Sequence, residues 1–205
     1  MRLRVVHDVT TIPDGLFCSQ DVARAGHHLR VIGLDLSLTS SGVALPDGST
    51  FRIKTRAADG DRRMVVIRDR IREVLDECRP HLAVVEDLPR HALGAGVTAM
   101  VHGIVRSELV ASGVPYALVV AATLKSYAAD HGRAAKQTMA AAAYLHAGVE
   151  FADDPGGDQC DAWWLRAAGH DRYGHPVVRL SQAQRDRLCK VEWPELPRLV
   201  SGEAA

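Results

Sequence analysis

Short apolar runs rich in β-prone residues alternate along the chain with longer stretches in which apolar residues recur every three or four positions. The first pattern is typical of buried strands and the second of amphipathic helices. Five strands are predicted, at Leu29–Leu36, Val43–Leu45, Ser49–Lys54, Leu82–Glu86 and Tyr116–Val120. The tight turn Pro46-Asp47-Gly48 joins the second strand to the third, so the first three strands are predicted to be antiparallel.

The clearest helical pattern lies between Asp61 and Cys78, where Ile67, Ile71 and Val74 share one face and Pro80 ends the pattern. Further helices are predicted at residues 97–109, 123–130, 134–147 and 158–168, with a possible short one at Ser181–Cys189. The resulting order, βββαβαβαα, predicts an α/β fold. Its five-stranded mixed sheet has three antiparallel strands, then parallel strands, and helices cover both faces.

The composition is that of one globular domain: 205 residues, 47% apolar and 24% charged. We predict a domain at residues 29–169, flanked by an N-terminal extension at 1–28 and a C-terminal extension at 170–205. The longest apolar stretches are interrupted before they could span a bilayer, and the start of the chain lacks the apolar core of a secretory signal, so a cytoplasmic protein without membrane contact is expected. The cysteines, predicted to be reduced thiols because their spacing fits no zinc motif, are Cys18, Cys78, Cys160 and Cys189.

Acidic residues follow two of the predicted strands and open the last helix of the predicted domain. Asp35 and Glu86 each end an apolar strand, and Asp158 and Asp161 stand three positions apart on one helical face. Oxygen-rich sites of this kind suit Mg²⁺ or Mn²⁺. Any one of these acids alone would more often cap a helix or pair with an arginine, but the ordered set favours a metal site.

Two neighbouring sets of acids are interpreted differently. Alternation along the fourth strand turns Asp87 to the opposite face from Glu86, which favours solvent or a salt bridge. Asp153 and Asp154 are assigned to a solvated turn. Trp163 and Trp164 follow the acidic pair and are assigned to the core.

Charge is unevenly distributed although the formal net charge is zero. Basic residues prevail between positions 88 and 144, and acidic residues prevail between 148 and 161. This arrangement is typical of a phosphate-handling surface beside an acidic pocket, although randomly clumped surface charge gives a similar pattern.

The strand order and the positions of the acids resemble the RNase H-like nuclease fold. Within it, the chain is most similar to RuvC-type Holliday junction resolvases, especially their compact phage and actinobacterial members. The motifs that carry this resemblance are Gly33-Leu34-Asp35-Leu36-Ser37-Leu38-Thr39-Ser40-Ser41-Gly42, Val84-Val85-Glu86-Asp87 and Asp158-Gln159-Cys160-Asp161-Ala162. The resemblance covers residues 30–169.

The resemblance implies a metal-dependent endodeoxyribonuclease that resolves Holliday junctions and other branched DNA in recombination, repair or phage DNA processing. Asp35, Glu86, Asp158 and Asp161 would be both catalytic and metal-binding, and would hold two Mg²⁺ or Mn²⁺ ions ~4 Å apart. Lys125 and Lys136 match basic positions of the family and, with Arg90 and Arg133, are the predicted contacts to the DNA arms. A homodimer is expected, with its dimer helix at residues 95–110.

Of three alternative functions, one stays open and two are disfavoured. Where the family often has an aromatic residue after the fourth-strand acid, this chain has Leu88-Pro89-Arg90-His91, which keeps open a relaxed nuclease acting on flaps and forks. A binding module with a silent site is disfavoured because all four carboxylates are present. Sugar-kinase and actin-like ATPases also begin with a Gly-x-Asp strand and a Ser/Thr-rich turn, but their duplicated domain needs about twice this length.

Overall fold

The computed structural model describes residues 29–88 and 95–196. Its strands are β1 Val31–Asp35, β2 Ser40–Ala44, β3 Thr50–Lys54, β4 Leu82–Glu86 and β5 Tyr116–Val119. They form one sheet in the order β3-β2-β1-β4-β5, in which β3-β2-β1 is antiparallel and β1-β4-β5 is parallel. The predicted mixed sheet is confirmed.

The helices are α1 Arg62–Cys78, α2 Ala95–Ala111, α3 Ala121–Ala129, α4 Lys136–Ala147, α5 Asp158–Arg172 and α6 Gln182–Arg185. Each helix predicted between residues 61 and 168 is present, with its ends displaced by a few residues. α1 ends at Cys78 because Arg79 is left-handed (φ 43°) and Pro80 cannot continue the helix. α6 begins after Ser181, whose hydroxyl accepts a hydrogen bond from the Gln184 backbone in a capping box.

Two apolar cores lie on opposite faces of the sheet, as the predicted helices on both faces require. On one face, α1 and α2 cover alternate residues of the central strands, such as Ile32 and Leu34. On the other face, α3, α4 and α5 cover the intervening positions, such as Val31 and Val84. The buried tryptophans of α5, Trp163 and Trp164, meet edge to face at 5.0 Å in this second core, which confirms their assignment to packing.

Helix α5 lies directly on the backbone of the two central strands because these carry glycine where it crosses. A Cβ built on Gly33 would stand 1.9 Å from the Ala162 carbonyl oxygen, and one built on Gly42 would stand 1.9 Å from the Asp158 carbonyl oxygen. No other residue permits this approach, since both contacts are to backbone atoms that cannot rotate away. The glycines therefore set the height of α5 above the ends of β1 and β2.

Beyond α5, the chain packs back onto the second core through Val178 and Leu188, which are buried. α5 itself continues to Arg172, past the predicted end at Ala168. The predicted domain boundaries stay predictions, and the N-terminal extension 1–28 lies outside the described residues. Within residues 29–88 and 95–196, no helix combines the length and apolar character needed to cross a membrane. Cys78, Cys160 and Cys189 are free thiols, as predicted.

Candidate active site

Asp35 and Glu86 end adjacent parallel strands at the same level. Leu34 pairs with Val85, so the next residue on each strand is the carboxylate-bearing one. Asp35 stands two positions after Gly33, which faces α5, and Glu86 stands two positions after Val84, the partner of Gly33. Residues two positions apart on a strand share a face, so both carboxylates lie on the α5 side of the sheet. Each acid ends its strand as predicted, and this register places the two side by side at one edge of the sheet.

Helix α5 brings the other two acids to this edge. Asp158 is its first residue and Asp161 stands in its first turn. The Ser40 hydroxyl, at the start of β2, donates a 2.5 Å hydrogen bond to Oδ2 of Asp158. This contact joins residues 118 positions apart in the chain and fixes the orientation of the Asp158 carboxylate toward β1 and β2.

The four carboxylates act on one another electrostatically, because they share a half-buried space. Burial raises the pKa of Asp35 well above its usual range, and the negative charges of Glu86, Asp161 and Asp158 raise it further. Burial, then the charge of Asp161, raises the pKa of Glu86 to about 7. Burial also raises the pKa of Asp161 to about 6. Such mutually destabilised acids are typical of functional sites.

The oxygen donors of this site fit a hard divalent cation in type and charge. Four carboxylates on one surface supply oxygen ligands, and a cation would relieve the repulsion that raises their pKa values. The carboxylates are nevertheless not drawn into a closed cage: across residues 29–88 and 95–196, no three Asp, Glu, His or Cys side chains form a group compact enough to hold a metal ion. The fold therefore assembles the donors on one face without closing them around a centre.

Lys125 of α3 and Lys136 of α4 face the acids. The positive charges of both lysines lower the pKa values of Glu86 and Asp161, and Lys136 also lowers that of Asp35. Lys136 donates a hydrogen bond to the Gly156 carbonyl oxygen, in the loop before α5. Both cations thus lie at the carboxylate site. Their predicted contacts to the DNA arms stay a prediction.

Of the other two predicted DNA contacts, only Arg133 lies within the described residues. Arg133 is exposed in the turn between α3 and α4, where its backbone N–H donates to Nδ1 of His131. Arg90 lies outside the described residues, as do Pro89 and His91 of the segment that lacks the aromatic residue. The Arg133 side chain is exposed, and its contact to DNA stays a prediction.

One acid assigned to a solvated turn belongs to the site instead. Asp153 is solvated, with its exposed carboxylate paired to Arg52 and Lys54, as predicted. Asp154 is different: its Oδ2 accepts a 3.1 Å hydrogen bond from the Cys160 backbone, its Oδ1 is buried, and its charge raises the pKa of Asp161. The assignment of Asp154 to solvent was wrong: although the loop is largely exposed, the Asp154 carboxylate turns back onto the first turn of α5, where one of its oxygens is buried.

Two site residues, Asp154 and Ser40, were missed, and the sequence contained a weak signal for Asp154 alone. Asp154 precedes Pro155, a pair that favours turns at which a side chain binds nearby backbone. Ser40 belongs to the polar turn after Asp35, but nothing local indicates a contact with Asp158. Asp87 does lie on the opposite face, as predicted: its charge acts on His102 of α2, and its Oδ1 accepts from the Leu88 backbone.

Comparisons with known proteins agree with this arrangement. No family model matches the chain. Over 172 residues the chain is 30% identical to the crossover junction endodeoxyribonuclease RuvC of Paracidovorax citrulli, a match that covers 76% of this chain and 91% of that protein. The fold is similar to Thermus thermophilus RuvC in complex with a Holliday junction substrate, with a TM-score of 0.61, 25% identity and coverage of 74% of this chain and 100% of that chain.

A second structure of Thermus thermophilus RuvC superposes with a TM-score of 0.60 at 24% identity, over 74% of this chain and 100% of that chain. The sequence match and the fold match thus point to the same kind of protein. The chain belongs to the RuvC family of crossover junction endodeoxyribonucleases.

Proposed function

We propose that this protein is a divalent-metal-dependent endonuclease that resolves Holliday junctions by hydrolysing phosphodiester bonds. The observation that carries the proposal is the meeting of Asp35, Glu86, Asp158 and Asp161 on one face of the sheet, where burial and neighbouring negative charges make ionisation of Asp35, Glu86 and Asp161 more costly. This arrangement, in a chain of the RuvC family, supports Mg²⁺ or Mn²⁺ as the cofactor, with two ions for each site.

Each acidic residue has a role that follows from its position. Asp35 and Glu86 would hold the cation from the strand ends, and Asp158 and Asp161 from α5. The Ser40 hydroxyl would keep one oxygen of Asp158 in place while the other faces the site. When bound, the cation supplies Lewis-acid stabilisation of a phosphoryl oxygen and lowers the pKa of attacking water.

Lys125 and Lys136 would have two effects on catalysis. Their charges favour the ionised carboxylates that a cation needs, since they lower the pKa values of Glu86 and Asp161. They also lie close to where the scissile phosphate would enter the site. Their positive charges would therefore neutralise this phosphate rather than more distant phosphates of the DNA arms.

Metal binding should depend strongly on pH. Because burial and neighbouring acids raise the pKa of Glu86 to about 7 and of Asp161 to about 6, both bind protons in mildly acidic solution and must lose them to bind a cation. We expect the rise in Tm caused by Mg²⁺ or Mn²⁺ to be small at pH 5 and to grow through pH 6–7. Equal rises at pH 5 and pH 8 would contradict this assignment.

The lysine contribution can be separated with matched variants. Lys136→Met removes a charge that lowers the pKa values of three acids, so the metal-induced rise in Tm should move to higher pH. Lys54→Met is the control, because Lys54 pairs with exposed Asp153. If both variants give the same pH midpoint as the wild type, Lys136 has no electrostatic effect on the site.

A homodimer is proposed on the exposed apolar residues of two neighbouring helices. Val65 and Val66 of α1 and Val97 and Met100 of α2 are each between 43% and 47% exposed. The two helices are held together by a salt bridge of 2.7 Å between Arg72 and Glu108. An apolar surface of this kind fits a second copy of the chain, consistent with the predicted dimer helix at 95–110.

Met100→Glu should convert the dimer to a monomer, because a carboxylate would be buried without a partner in the interface. Sedimentation or light scattering measures the mass, and Glu77→Gln, on the exposed part of α1, is the control. A Met100→Glu variant that stays dimeric would remove α2 from the interface. With a monomer, the paired nicks on opposed strands should become uncoordinated single nicks.

The function is tested by cleavage of a labelled immobile four-way junction beside a fork, a flap and a linear duplex, with Mg²⁺ or Mn²⁺. The comparison is wild type against Asp158→Asn/Asp161→Asn. Paired symmetric nicks confined to the junction, and lost in the variant, are expected. Equal cutting of every branched substrate would support the relaxed nuclease instead, and no cutting by the wild type would leave only DNA binding.

A further inference from the structure

Residues 173–196, the C-terminal segment, form an ordered element with its own small core. Tyr173 and Trp193 meet edge to face at 6.1 Å, and the Tyr173 hydroxyl donates to the Pro194 carbonyl oxygen. Trp193 Nε1 donates to the Leu188 carbonyl oxygen at 3.2 Å, and Leu188 is itself buried. These contacts hold α6 and the 3₁₀ turn Asp186–Lys190 in a defined position.

The segment docks on α3, the helix that carries Lys125. Gln184 of α6 donates a 3.1 Å hydrogen bond to the Tyr127 carbonyl oxygen, and Arg187 pairs with Asp130 at 3.4 Å. Between the two elements lies an open cleft of about 540 Å³. Its polar lining comes from Thr123 and Ser126 of α3 and from Asp186, Arg187 and Lys190 of the segment.

The charge of this cleft is suited to an anion. Arg187 and Lys190 are exposed, and Arg133 stands on the adjoining turn, whose Gly132 lies against Ser126. Two acids lie nearby: Asp186, whose Oδ1 accepts a 2.7 Å hydrogen bond from Gln182, and Asp130, which pairs with Arg187. The three cations Arg187, Lys190 and Arg133 outnumber these two acids. The two hydroxyls add donors that a phosphate oxygen can accept from.

The cleft and the carboxylate site share helix α3. Lys125 stands between Thr123 and Ser126 in sequence, and its charge acts on Glu86 and Asp161. Because successive residues of a helix point in different directions, one side of α3 faces the acids while the neighbouring side faces the cleft. A DNA strand leaving the site would therefore pass from Lys125 to Arg187 and Lys190.

We propose that this cleft binds backbone phosphates of a DNA arm next to the cleavage site, so that the C-terminal segment is part of the DNA-binding surface. The inference rests on the proposed function and deepens it. The segment lies after the predicted nuclease domain 29–169, and its role is to extend the basic surface beyond the acids. Its contacts are to phosphate, so they add affinity without adding sequence preference.

The test compares Lys190→Gln and Arg187→Gln, singly and together, with Arg179→Gln. All three side chains are exposed on the same segment, so the substitutions should leave the fold intact, and Arg179 is not among the residues that line the cleft. Affinity for a fluorescent immobile junction is measured by anisotropy over a range of salt. The double variant should bind about ten-fold more weakly, with a salt slope lower by about one for each cation removed.

A substitution that removes a negative charge beside the cleft should have the opposite effect on junction affinity. Asp130→Asn removes the acid that pairs with Arg187 and keeps a residue type that tolerates the left-handed backbone at this position (φ 56°). It should tighten junction binding, because Arg187 is then released to a phosphate. A weaker affinity in this variant would contradict the inference.

The outcomes separate this inference from the proposed function. If the wild type cuts junctions while the double variant binds them with unchanged affinity and salt slope, the cleft does not bind DNA and the function stands. An equal loss of affinity in Arg179→Gln would also overturn the cleft, since general charge would then suffice. A wild type that neither binds nor cuts a junction would reject the proposed function itself.

Discussion

Asp35→Asn is expected to lower junction cleavage by at least about a thousand-fold while junction binding persists. Asp35 ends the central strand, and the charges of the other three acids all act on it. Asparagine keeps the shape of the side chain but removes the negative charge that a divalent cation requires. Phosphate contacts made by lysines and arginines do not depend on that charge, so affinity measured in EDTA should change little.

Asp87→Asn is the matched control for this prediction. Asp87 directly follows Glu86 but lies on the opposite, α2 side of the sheet, where its charge acts on His102. Its Oδ1 accepts a hydrogen bond from the Leu88 backbone. Cleavage by this variant should stay within about threefold of the wild type. Retained cleavage by Asp35→Asn would remove Asp35 from the metal site, and equal losses in both variants would point to a general effect of charge.

Glu86→Gln tests the same electrostatics through protein stability, with no measurement of cleavage. The folded-state pKa of Glu86, about 7, lies above its ordinary value of 4.5, so the folded protein binds this proton more tightly than the unfolded chain. Ionisation of Glu86 therefore costs stability as pH rises from about 4.5 to about 7. In metal-free buffer, Glu86→Gln should be more stable than the wild type at pH 8, by on the order of 1–3 kcal/mol, and equal to it near pH 4.5.

Gly42→Ala is expected to have the largest effect on the fold. Its added Cβ would stand 1.9 Å from the Asp158 carbonyl oxygen, so α5 must move away from β2 and carry Asp158 with it. Overpacking against backbone costs about 3 kcal/mol or more. Urea unfolding should show the loss of stability, and cleavage by the remaining folded protein should fall because Asp158 loses its hydrogen bond to Ser40.

Gly96→Ala is the control for the glycine prediction. A Cβ at this position, in the first turn of α2, meets none of the described residues within 4 Å, and alanine has the higher helix propensity. Its unfolding midpoint should equal or exceed that of the wild type. If Gly42→Ala unfolds at the wild-type urea concentration, the close seating of α5 on the sheet is not required.

Patterns along the chain were enough to predict the elements that carry the acids. β1 and β4 are apolar runs ended by a carboxylate, and α1 repeats apolar residues at a helical period, so local sequence reports both the element and its ends. The antiparallel opening followed from a tight turn. The helical spacing of Asp158 and Asp161 then placed these two acids on one face of α5.

Other features of the site join distant parts of the chain and have no local signal. Ser40 and Asp158 meet across 118 residues, Gly33 and Gly42 matter only because α5 lies on them, and the Asp154 carboxylate finds its backbone partner only once α5 is in place. Lys125 and Lys136 were predicted to contact the DNA arms, and only the folded structure shows that their charges also act on the acids. The sequence by itself determined which residues form each element and which donors are offered. The tertiary structure decided which donors meet, because their distances and burial depend on how closely the elements pack.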